Sequence, residues 1–153
     1  GYTHAGLFYT ISAVSMIIIR MISKHFMDTV PAIKTMTGAV ACGILCCLML
    51  LAAPYGEPVF LASGIFYGLA TGISLPLNQS VAVKNTPPER WGAANALFLL
   101  ANDIGIGFAS VIWGVINDSF GFQTSIVCVI VCLIASYASA WIVYPARDKR
   151  WRH

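Results

Sequence analysis

Charge is what this sequence has least of. Only 10% of its 153 residues are Asp, Glu, Lys or Arg, against 58% hydrophobic ones. A soluble domain of ordinary composition carries about 25% charged residues, because its surface must face water. This chain cannot coat a globule, and a lipid solvent removes the need to. The net charge of +3 is too small to indicate a nucleic-acid partner. Alternating polarity over strand-length segments is also missing, which excludes a membrane β-barrel. The three histidines, His4, His25 and His153, are scattered over the termini and a loop. No paired acids, nucleophile–base set or phosphate-binding loop accompanies them. The expectation is a non-enzymatic protein without cofactor or metal. The chain starts at Gly1 with no initiator Met and no basic leader, so it is expected to be a fragment or a processed form.

Cysteine is present but without a disulfide framework. Cys42, Cys46, Cys47, Cys128 and Cys132 all sit within apolar runs. Cys42/Cys46 and Cys128/Cys132 share a helix face at a spacing of four. Neither run supplies the hydrophilic ligands and access route that a metal site needs, so the cysteines read as small buried filler.

What is abundant is apolar sequence, in five segments: 5–22, 35–54, 58–83, 92–117 and 124–144. Each suffices for a hydrocarbon core that takes about 20 helical residues. Pro31, the Pro54–Pro58 stretch, Pro87-Pro88 and Ser119-Phe120-Gly121 punctuate them. The expected fold class is an all-α integral membrane protein of about five transmembrane helices, with short loops and antiparallel neighbours. Residues 145–153 form a polar tail.

The scarce charges are placed one-sidedly. All nine basic residues (Arg20, Lys24, Lys34, Lys84, Arg90, Arg147, Lys149, Arg150 and Arg152) fall at the first loop, the third loop or the tail. With five spans, these regions share one face, which the positive-inside bias assigns to the cytoplasm. A multi-pass protein, expected in the plasma membrane, then starts outside and ends with a cytoplasmic C-terminus. Tyr2, Tyr55, Tyr144 and Trp151 are candidate interfacial anchors.

Several stretches carry a family resemblance. Arg20-Met-Ile-Ser-Lys24-His-Phe-Met-Asp28 resembles the R-x-x-[SG]-G-x-x-x-D loop of the major facilitator superfamily, with Lys24 in place of glycine and Thr29 in place of a basic residue. Pro88-Glu89-Arg90-Trp91-Gly92-Ala93-Ala94 looks like its P-x-x-R-G-x-A motif, with Trp91 as an extra residue. Gly105-Ile-Gly107, Gly114 and Asn117-Asp118-Ser-Phe-Gly121 are similar to its G-x-G…G…D-x-x-G helix ending. The resemblance implies helices eight to twelve of a twelve-helix transporter, most of its C-terminal six-helix bundle. It further implies a small-molecule substrate, a missing N-terminal bundle as partner, and a cytoplasmic gate formed by Arg20, Asp28 and Arg90.

Some residues point to chemistry by themselves. Asp103 lies mid-segment, where a charge costs about 2.5–3.5 kcal/mol on insertion scales. It reads either as a proton carrier or cation partner, or as a hydrogen-bonded tie between helices. Asn95, Asn102, Ser110 and Asn117 recur every seven or eight residues, a polar stripe suited to a water-lined cavity or to interhelical bonding. Asn78, Gln79 and Ser80 bring polar groups into the inner half of the third segment. They read as substrate contacts or as the start of the interface. Gly64, Gly68 and Gly72, with Pro76 in step, form a small-residue face for close packing or for a flexing gate helix. Gly105, Gly107 and Gly114 give the fourth segment similar small positions.

The functional expectation is secondary active transport of a small solute by alternating access, proton-coupled, as a permease or efflux pump. The lipid bilayer and protons join the substrate as expected partners. The alternative is a non-transporting membrane scaffold or assembly subunit, complete at five helices.

Overall fold

The computed structural model describes residues 2–52, 56–84 and 86–143, with side chains described over 6–23, 30–52, 56–84 and 86–142. Four helices follow in order: α1 (Tyr2–Thr29), α2 (Ala32–Leu51), α3 (Glu57–Lys84) and α4 (Trp91–Val143), with a 3-10 turn at Pro88–Arg90 leading into α4. No strand occurs among the described residues. All four helices are long and apolar enough to cross a membrane. The protein is an all-α membrane fold.

α2 (Ala32–Leu51) lies three residues earlier than the expected 35–54, because Pro31 fits just before a first helical turn; two further boundaries differ by more. The helix of segment 5–22 does not stop there; α1 continues to Thr29. Nothing in 23–29 breaks a helix, and the first proline is Pro31, whose ring disfavours helical geometry in the preceding residue. At 28 residues, α1 is about 42 Å long and exceeds a hydrocarbon core of about 30 Å. Arg20–Asp28 therefore lies on a helix rather than in a loop. Tyr144, the expected end of the fifth segment, and the tail 145–153 lie outside the described residues.

The second difference is the expected break between segments four and five. Residues 118–123 are helical apart from Gly121, at φ 83° and ψ 169°. That conformation is essentially reserved for glycine, because a β-carbon would clash there. The chain must reverse at this point. Gln79 contacts Asn95, whereas Leu77, two residues away, shares a core with Met36, Val40 and Ala140. A straight helix would separate residues 95 and 140 by about 68 Å. The single non-helical residue thus divides α4 into two arms, 91–120 and 122–143.

Contacts fix the directions of the helices. Phe8 stacks on Phe60 with centroids 5.0 Å apart. Further along, Ser12 meets Gly64 and Gly68, and Ile19 meets Gly72. Numbers rise together, so α1 and α3 are parallel. A β-carbon on Gly43 of α2 would lie 3.8 Å from Ala70 and 3.4 Å from Leu133. Since Met36 and Val40 pack with Leu77 and Ala140, α2 runs antiparallel to both α3 and the second arm. The chain therefore zigzags, each pass opposing the last.

The core is thin, as lipid rather than water is the surrounding solvent. Its larger apolar members are Met36, Val40 and Leu77, with Ala32, Ile44 and Tyr137 packed around them.

Candidate functional site

Two of the polar residues singled out in the sequence are brought together. Gln79 Nε2 on α3 donates to Asn95 Oδ1 on the first arm of α4 at 2.6 Å. The intervening turn makes this possible. Thr86 N–H donates to Val83 O at 3.0 Å, and Arg90 N–H donates to Pro87 O at 2.9 Å. Trp91 Nε1 then donates to Thr86 O at 3.0 Å. Trp91, the residue extra to the family-like motif, thus ties the start of α4 to the turn that follows α3. Arg90 is exposed on the turn.

Asn78 and Ser80 are half-buried beside Gln79. Above Asn95, the polar side chains Asn102, Asp103, Ser110 and Asn117 fall within a sector of about 100° when each residue advances about 100° around the helix. Asn102 is half-buried, while Asp103, Ser110 and Asn117 are exposed on this chain. Ser110 Oγ donates to Gly107 O at 2.8 Å, so that hydroxyl is satisfied within its own helix. Asp103 stands about 18 Å along the arm from Trp91.

The glycines separate into two groups. Gly64, Gly68 and Gly72 are buried against α1. A β-carbon on Gly68 would collide with Ser12 O and lie 2.7 Å from Ser15 Cβ; one on Gly72 would strike Ile19 Cγ2. One on Gly64 would sit 3.1 Å from both Phe8 O and Ser12 Oγ. Pro76, the next step, is half-buried within α3. Gly105, Gly107 and Gly114 have nothing within 4 Å of a built β-carbon.

Serines complete the α1–α3 contact, which the sequence alone did not reveal. Ser63 is fully buried, and its Oγ donates to Phe60 O at 2.6 Å. Buried Ser12 donates to Phe8 O at 2.8 Å. Each hydroxyl turns back onto its own helix, which leaves a small, satisfied surface for the facing backbone. The signal was available as Ser12 and Ser15 on one helix and Ser63-Gly64 on the other.

Of the residues expected at a gate, Arg20 is exposed on α1 and its carbonyl accepts from Ser23 Oγ at 3.2 Å. The side chain of Asp28, like that of Lys24, lies outside the described residues. Among the described residues all five cysteines are free thiols, Cys46 and Cys47 buried, Cys42 and Cys128 half-buried, and Cys132 exposed. The expectation of buried filler does not extend to Cys132.

A zigzag of long apolar helices, crossed by a small-residue contact and carrying one polar stripe, defines a multi-pass helical membrane protein. The family model of the Major Facilitator Superfamily matches residues 1–153, and the chain belongs to that family. Neither the curated proteins nor the solved structures contain a significant match. Membership makes this a membrane transport protein set in lipid, of a family that handles small molecules and is generally non-enzymatic. It favours transport over the scaffold alternative.

Proposed function

We propose that the chain forms helices eight to twelve of a twelve-helix facilitator, and that the whole protein moves a small solute by alternating access, driven by protons. In this reading α1, α2, α3 and the two arms of α4 are five spans. The face bearing the basic residues is cytoplasmic, and the membrane is the plasma membrane. Asp103 carries the proton, Asn102, Asn95, Gln79 and Asn78 line the route, and Arg20, Asp28 and Arg90 bias the inner gate. The glycines of α3 allow α1 and α3 to shift as one packed pair, with Pro76 as the bend.

The observation that supports it is the exposure of Asp103 beside half-buried Asn102 on the first arm of α4. A carboxylate at membrane depth faces protein or water, not hydrocarbon. The exposed sector therefore fits a cavity shared with a partner bundle. Asp103→Asn removes the titratable group while keeping size and polarity. In proteoliposomes holding the full-length protein, flux driven by a pH gradient should be lost, and exchange of solute without a gradient should persist. Gradient-driven flux at the unmodified rate would remove Asp103 from coupling. Asn102→Cys, in a background freed of native cysteines, should react with a membrane-impermeant maleimide. A cysteine that stays unlabelled from both sides would remove the cavity.

A further inference from the structure

Between its contacts with α1 and α2, helix α3 has two remaining sides, and they differ in chemistry. Counting about 100° per residue from Tyr67, the glycines that meet α1 (Gly64, Gly68 and Gly72) fall at about 60–140°. Ala70 and Leu77, which meet α2, fall at about 280–300°. Ala62, Ile65, Leu69 and Ile73 occupy one remaining side, at about 160–240°. Tyr67, Thr71, Ser74 and Asn78 occupy the other, within about 40° of zero. The first side is wholly apolar and suits lipid or a neighbouring helix. The second is polar and uncharged.

Depth makes the polar side costly to leave in hydrocarbon. Tyr67 lies about 15 Å from the start of α3, and Ser74 about 15 Å from its end, so both stand in the middle of the helix. Tyrosine favours the membrane interfaces, and a hydroxyl in hydrocarbon without a partner is strongly disfavoured. Tyr67 and Ile65 are equally exposed, at 43%, on opposite sides of α3. Only Tyr67 has a polar group to satisfy, and its hydroxyl has no hydrogen-bond partner among the described residues. The ring is braced from behind: its centroid is 6.1 Å from that of Phe8, which stacks on Phe60. Thr71 Oγ1 donates to Tyr67 O at 2.8 Å, so it accepts further bonds without giving up its own.

We infer that this side of α3 is a wall of the solute site, that Tyr67 is a solute-contacting residue there, and that the solute is an uncharged ring compound bearing hydroxyl or carbonyl groups. The phenol offers a flat face for the ring and a hydroxyl for its polar groups. No side chain on this wall would balance an ion. The middle of the bilayer is also where transporters of this kind hold their solutes. The inference rests on the transport reading, to which it adds Tyr67 and the class of solute; Asn78, already placed on the route, continues the same stripe.

The test uses the full-length protein, freed of native cysteines, in sealed proteoliposomes. Tyr67→Cys and Thr71→Cys should react with a membrane-impermeant methanethiosulfonate reagent. Ile65→Cys should react about tenfold more slowly, because apolar surroundings suppress the reactive thiolate. Methyl β-glucoside or uridine, both neutral ring solutes, should slow the reaction at position 67, and glutamate and putrescine should not. Equal rates at positions 65 and 67, or no reaction at either 67 or 71, would overturn the wall. Protection by the charged solutes, or by none of the four, would overturn the solute class. Reaction at Asn102→Cys without reaction at 67 and 71 would sink this inference and leave the transport reading standing. Reaction at 67 with gradient-driven flux unchanged in Asp103→Asn would leave the wall and remove the coupling.

Discussion

Gln79 on α3 and Asn95 on the first arm of α4, sixteen positions apart, share a 2.6 Å hydrogen bond across the Pro87-Pro88 turn. It joins two helices where little else does, since Leu97, Leu99 and Leu100 on the next turn point away and are exposed. The turn brings the amides together, and the bond holds the arm against α3.

Removing either amide should cost the same bond. Gln79→Ala and Asn95→Ala are each expected to destabilise the protein by about 0.6–1.7 kcal/mol, the range for interhelical bonds in membranes. The double variant should cost less than the sum of the two. Unfolding in mixed micelles by a denaturing detergent measures all three, and strict additivity would mean that the pair does not interact in the membrane.

The α1–α3 contact should rank glycine substitutions by position. Gly68→Val places atoms against the Ser12 backbone and should lower stability by about 1–3 kcal/mol. Gly105→Val meets no neighbour within this chain. In the full-length protein its effect reports whether a partner helix covers that face. A thermal scan of the purified protein compares them, and a Gly68 variant as stable as the parent would contradict the packing described.

Gly121 is a backbone requirement rather than a packing one. Its open surroundings would admit a methyl group, yet φ of 83° disfavours any side chain. Gly121→Ala should cost about 1–3 kcal/mol, and Gly121→Val at least as much. A Gly121→Ala variant at least as stable as the parent would contradict the positive φ at this position.

The reversal at Gly121 also predicts sidedness. Cysteines introduced at Asp118 and at Gly56 should label from one side of a sealed vesicle, and one at Thr86 from the other. Labelling of positions 118 and 86 from the same side would mean that the first arm does not cross.

Much of the fold is written in the sequence because prolines and apolar length are local signals. Pro58 and Pro87 bracket α3, which spans Glu57–Lys84 against an expected 58–83. Where hydropathy and helix-breaking disagree, hydropathy misleads: the polar end of α1 stays helical because no residue there stops it. Ser119-Phe120-Gly121 marks the right place for a turn, but loop composition does not reveal that one residue suffices. For the site, the polar character of Gln79 and Asn95 is visible, whereas their pairing depends on the turn between them. The glycine face of α3 is likewise legible, but not that α1 supplies its partner, since Ser12 and Ser15 look like ordinary small residues in an apolar run.

The one-residue turn also bears on how the protein enters the bilayer. Two apolar arms joined without a loop offer no aqueous segment long enough to wait on the far side while the second arm is made. If both arms span, as proposed, they are expected to insert together, as a hairpin whose tip, near Asn117 and Asp118, crosses the hydrocarbon once. Lengthening that tip with polar residues is then expected to let each arm insert separately, which would give Gly121 a part in assembly as well as in the bend.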